Sequence, residues 1–146
     1  VSKPLIVGEL NPYGSDPRYA LFPFPLHATG GRLRKILGLS LSAYMNGFDK
    51  MNLCTGRWSQ PEARRKAAEV MLQSRTPIVL LGRKVAGAFF PAGPPEPFTV
   101  AHETRFSVAP VYLIPHPSGM CREWNDPQAI PKVRALLAPL LEAKKA

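Results

Sequence analysis

Acidic residues are scarce in this sequence: ten Asp and Glu stand against nineteen Lys and Arg, a net charge of +9. That imbalance argues against a cationic partner and favours an anionic one, of which nucleic acid is the common case; a solubility surface is the bland alternative. Cysteine is nearly absent. Cys54 and Cys121 cannot form a disulfide framework, they lack metal-ligand spacing with any histidine, and they are too few for a four-thiolate iron–sulfur cluster. They read as small buried or loop thiols of a reduced compartment, with a catalytic thiol as the rarer alternative. No apolar run approaches the roughly 18 residues that a spanning helix needs. Val1-Ser2-Lys3-Pro4 leads straight into an apolar strand without a signal-peptide pattern, so a cytoplasmic location is expected. Internal repeats and low-complexity tails are also missing. What remains is an ordinary globular composition, 45% hydrophobic over 146 residues, which predicts one domain over 1–146.

Proline, in contrast, is abundant, with seventeen residues. Pro91-Ala92-Gly93-Pro94-Pro95-Glu96-Pro97 reads as a semi-rigid surface loop. Four apolar runs predict buried strands: Pro4 to Val7, Phe48 to Leu53, Pro77 to Leu81 and Val111 to Ile114. Phe98 to Phe106 adds a minor strand or an irregular hairpin. Helices are predicted over Gly31 to Leu37, Ser59 to Ser74 (opened by a serine cap and Pro61), Lys84 to Phe90, and Asp126 to Ala143. The last is capped by Asn125 or Asp126 and weakened or kinked near its end by Pro139. Strands alternating with helices predict a three-layer α/β/α domain around a central four-stranded, mainly parallel sheet.

In such sheets ligands bind at the carboxyl ends of the strands. Two loops there carry chemistry. One is Gly8-Glu9-Leu10-Asn11-Pro12-Tyr13-Gly14; the other is Pro115-His116-Pro117-Ser118-Gly119-Met120-Cys121-Arg122. The first has neither the three-glycine dinucleotide spacing nor a Walker pattern. Taken alone, His116 is a strand-end histidine with a satisfied hydrogen bond. Asn11 is a turn residue before proline, Asn52 caps a strand exit, and Phe24 and Tyr13 are packing aromatics.

Together these residues resemble the uracil-DNA glycosylase superfamily. Asn11-Pro12-Tyr13 is similar to that superfamily's water-activating motif, and Gly8-Glu9 to the opening of its thermophile-type members. Phe24 stands at the offset of the base-stacking phenylalanine. Asp49-Lys50-Met51-Asn52-Leu53-Cys54 resembles the second-strand segment whose asparagine reads the uracil edge. Pro77 to Ala86 resembles the strand–glycine–helix segment of the cluster-containing members, and His116-Pro117-Ser118-Gly119-Met120 the motif ending the last strand. The similarity runs from about Leu5 to Leu141 in the same order.

The resemblance implies a monofunctional glycosylase that flips uracil or a related pyrimidine out of DNA and leaves an abasic site, as in base excision repair. It needs no metal or cofactor and is expected to act as a monomer. His116 is then the donor to the pyrimidine 2-oxygen, Asn11 holds the attacking water, and Glu9 is a second water ligand or else half of an ion pair. Asn52, Phe24 and Tyr13 read, stack on and crowd the base. Met120 is the wedge, while Gly31, Arg32, Ser118, Gly119 and Arg122 hold backbone phosphates. Arg34, Lys35, Arg64, Arg65 and Lys66 are expected as solvated helix faces. The chain departs from the superfamily in its shortness, in its lack of a cluster, in the residues between Gly8 and Asn11, and in the Phe24-to-Gly30 spacing. Two alternatives therefore stand: a relative that senses a flipped base without cleaving it, and a hydrolase for another modified base or a nucleoside. Glu9 discriminates, because a carboxylate in the pocket favours hydrolysis and one drawn into a salt bridge favours binding.

Overall fold

The computed structural model describes residues 3–10, 16–93, 96, 98–101, 110–118 and 121–145. In chain order the elements are β1 (Leu5–Leu10), α1 (Thr29–Leu37), α2 (Leu41–Gly47), β2 (Asp49–Cys54), α3 (Gln60–Gln73), β3 (Ile78–Leu81), α4 (Arg83–Phe89), β4 (Thr99–Ala101), β5 (Val111–Ile114), α5 (Ala129–Leu136) and α6 (Ala138–Lys145). Short 3-10 turns lie at Pro17–Tyr19 and Arg122–Asn125.

The strands form one sheet in the order β2-β1-β3-β5-β4, parallel except for β4, which runs antiparallel to β5. The sheet thus has five strands rather than the predicted four. Thr99–Ala101, inside the segment read as a minor strand, pairs along the edge of β5.

Residues of β3 and β5 alternate between two cores. Val79, Leu81, Tyr112 and Ile114 pack with Leu33, Leu37, Tyr44, Val133 and Leu141, from α1, α2, α5 and α6. Ile78, Leu80, Val111 and Leu113 pack with Ala63, Ala67, Met71, Val85 and Phe89, from α3 and α4. Helices therefore cover both faces, which is why these strands are apolar throughout instead of alternating with polar residues. The adjacent strands β1 and β3 send their following helices to opposite faces. That divergence opens a crevice at their carboxyl ends, the usual ligand position in an open α/β sheet.

Several boundaries depart from expectation. β1 continues past Val7, because Gly8 and Leu10 still pair with Asn52 and Cys54 of β2; Glu9 is a strand residue. Helix α2 was not anticipated, although Ser40 caps it by accepting a hydrogen bond from the Ala43 N–H. The carboxyl-terminal helix is two helices with a break at Leu137. A proline ring in a helix clashes with the carbonyl four residues back, so Pro139 is tolerated only in the first turn of a new helix. α5 starts after Gln128, and Asp126 Oδ1 accepts from the Gln128 N–H instead of capping the helix. The serine cap of α3 is as predicted, with Ser59 Oγ accepting from the Glu62 N–H.

Candidate active site

A cavity of about 480 Å³ occupies the crevice. Glu9 at the end of β1, Gly82 and Lys84 after β3, and His116 after β5 line it together with Arg122. The parallel strands bring Glu9, Gly82 and His116 together, since each lies at the carboxyl end of its strand or just beyond it, with Lys84 and Arg122 on the chain that follows β3 and β5.

Four contacts fix His116. Trp124 Nε1 donates to the His116 carbonyl at 2.7 Å, and Arg32 Nε donates to the Pro117 carbonyl at 2.7 Å. Gly82 supplies the third: its φ of +90° suits glycine, and a Cβ there would lie 2.9 Å from His116 Cβ. The fourth sets the chemistry. The Ser118 backbone N–H donates to His116 Nδ1 at 3.1 Å. A backbone amide can only donate, so Nδ1 is unprotonated and the neutral ring carries its proton on Nε2. Burial pushes the His116 pKa below the ordinary histidine value; Glu9 opposes that shift and Lys84 adds to it. The imidazole is therefore a neutral N–H donor near pH 7.

Glu9 is half-buried and, among the described residues, makes no ion pair. Across the cavity mouth, exposed Arg83 pairs with Glu123 at 3.6 Å. One strand over, Asn52 stands opposite Gly8. Its Oδ1 is buried and has no hydrogen-bond donor among the described residues. A Cβ on Gly8 would meet that oxygen at 2.7 Å and Leu21 at 3.0 Å, so Gly8 leaves room for the amide and for the chain above it. Leu21 is held there by Tyr44, whose hydroxyl donates to the Leu21 carbonyl at 2.7 Å. An unpartnered buried acceptor is costly in isolation and suits a ligand that brings a donor.

Of the residues singled out from sequence, Glu9, His116 and Arg122 line one cavity, Arg32 and Ser118 hold its loop, and Asn52 stands one strand over, opposite Gly8, outside the cavity lining. Phe24 lies apart: it is 46% exposed and joins Tyr19, Phe22 and Pro25 around a small apolar hollow of about 240 Å³. Asn11, Tyr13, Gly119 and Met120 lie outside the described residues. Gly31 and its neighbour Gly30 lie in the first turn of α1, where close packing leaves no room for a side chain. A Cβ on Gly30 would lie 2.2 Å from the Leu21 carbonyl oxygen, and one on Gly31 2.6 Å from that of Leu26. Arg34 is not part of a solvated face, since it folds back to donate to the Leu39 carbonyl beyond the end of α1. Trp124 and Lys84 were not singled out at all. Nothing in their local sequence marks them, because their roles depend on partners that only the fold supplies.

Among the described residues no cluster of three His, Cys, Asp or Glu side chains is placed to hold a metal ion. The arrangement offers a neutral donor for an oxygen gaining negative charge, a carboxylate that can orient water, and an amide acceptor for a ring N–H. No protein-family model matches the sequence, and no curated protein matches it either.

Proposed function

We propose that the chain is a DNA glycosylase of the uracil-DNA glycosylase type, acting on uracil or a related pyrimidine without a metal or cofactor. The observation that carries this reading is the His116 ring, held neutral with Nδ1 occupied, in the same cavity as Glu9. A flipped deoxyuridine enters the crevice. His116 Nε2–H donates to the pyrimidine 2-oxygen, and Asn52 Oδ1 accepts from the ring N3–H. The N1–C1′ bond breaks with its electron pair leaving on the base, which the His116 hydrogen bond stabilises as an anion. Water oriented by Glu9 adds its oxygen to C1′. Its proton passes to solvent, and the departing base is protonated on release. The position of Glu9 in the cavity, without an ion pair among the described residues, favours hydrolysis over mere sensing of the base.

The test is cleavage of end-labelled oligonucleotides carrying one deoxyuridine, followed by alkali to break the strand at an abasic site. The chain should produce a new band. His116→Ala should reduce its rate by about 100- to 1,000-fold, the usual loss on removing one donor of this kind, with DNA affinity retained. Absence of any band at enzyme excess, with binding intact, would replace hydrolysis by base sensing.

A further inference from the structure

A second cavity, of about 830 Å³, lies between α1 and the Trp124–Ile130 segment. Its volume falls within the span of small-molecule pockets, about 300–1,000 Å³. Trp124, Leu26 and Ile36 form apolar walls, and Arg32, Arg34 and Lys35 supply cations. None of its lining residues is an Asp or Glu. Arg34 Nε is buried there without an acceptor among the described residues. The terminal nitrogens of Arg32 are likewise unclaimed among them, because only its Nε is used, on the Pro117 carbonyl. A site with an apolar aromatic wall beside several uncompensated cations matches a ligand that is part flat ring and part phosphate.

We propose that this cleft binds a nucleotide unit of the DNA strand adjoining the one whose base is removed, with its phosphate on Arg32 and Lys35 and its base against Trp124 and Ile36. The strand context rests on the glycosylase reading above; the nucleotide site itself does not. The same two side chains that line the cleft, Arg32 and Trp124, hold the carbonyls of Pro117 and His116. A guanidinium fork engages a phosphate through its terminal nitrogens while its Nε stays on the loop. Filling the cleft therefore braces the His116 loop, and the grip on the strand is tied to the placement of the donor.

The chain has two tryptophans, so Trp58→Phe leaves Trp124 as the only indole reporter. Thymidine 5′-monophosphate added to this variant should change its emission saturably in the millimolar range or below. Thymidine alone should bind more weakly. Lys35 is exposed, and Lys35→Glu in the same background should preserve the fold and weaken binding about tenfold or more. A flat titration, or equal affinity in the Lys35→Glu variant, would overturn the site. The probe is an undamaged nucleotide and the readout is not cleavage. A flat titration alongside normal deoxyuridine cleavage thus removes only this inference. Binding without any cleavage would keep the nucleotide site and remove its strand context.

Discussion

At His116 the identity of a single hydrogen-bond donor decides what the ring can do. Protonation would set an Nδ1–H against the Ser118 N–H, donor facing donor, in a site that burial already makes unfavourable to charge. The folded chain therefore resists a proton that the unfolded chain accepts near the ordinary histidine value, about 6.5. Since the unfolded state then binds more protons, stability falls as pH drops from about 6.5 toward the lower folded value, and levels off below it. Urea midpoints measured across this range should show that loss in the parent chain and less of it in His116→Gln. A ring that titrated at or above the ordinary value in an NMR experiment would remove the neutral donor from the mechanism. His116 and Glu9 were legible in the sequence because each follows an apolar run at a strand end. The tether from Arg32 to the Pro117 carbonyl was not, since it joins residues 85 positions apart that local pattern cannot pair. Arg34 misled for a related reason. A basic residue on a helix reads as solvated until the chain beyond the helix turns back and offers it a carbonyl.

The junction between β3 and α4 meets the loop after β5 at Gly82, and this contact is where element geometry acts on the site. Gly82→Ala would combine a left-handed backbone with a Cβ pressed to 2.9 Å from His116 Cβ. It should cost about 1–3 kcal/mol of stability, read from the urea midpoint. It should also lower cleavage by more than the folded fraction explains, because His116 must shift. Gly56 provides the contrast, with φ +79° and nothing within 4 Å of an added Cβ. Gly56→Ala should show the backbone cost alone and leave the rate per folded molecule unchanged. Equal rate losses in the two variants would show that Gly82 does not position His116. The strand–glycine–helix sequence around Gly82 was legible, as were the wholly apolar strands β3 and β5 and the serine cap of α3. Helix α2 was not, because its seven residues are too few for a periodic stripe to stand out, and so short a helix depends on tertiary packing, here of Tyr44 buried in the core. The break at Leu137 was half visible. Pro139 announced a disturbance, but whether a helix bends or restarts depends on what its next turn packs against, and Leu140 and Leu141 pack into the core.

Across the whole molecule the charge is large and the described ion pairs are few: Arg18 with Asp16 and Arg83 with Glu123. The remaining question is whether the excess of +9 is a diffuse solubility field or a strand track. On the proposed function it is a track. Arg32, Lys35, Lys84 and Arg122 line the two cavities that flank the His116 loop, whereas exposed Arg64 and Arg65 lie on α3 and line neither. Each phosphate neutralised on a single strand contributes about −0.7 to the slope of log affinity against log salt, so four such contacts give a slope on the order of −3. Fluorescence anisotropy of a labelled thymidine oligonucleotide across a salt series measures it. Arg122→Gln should reduce the magnitude of that slope by somewhat less than about one unit, the weight of one phosphate contact. Arg64→Gln with Arg65→Gln should weaken binding only slightly and leave the slope in place, because neither side chain lines either cavity and a charge outside the strand path makes no phosphate contact. If both sets of substitutions changed the slope equally, the basic surface would be acting as a general field, and the strand would have no defined path past His116.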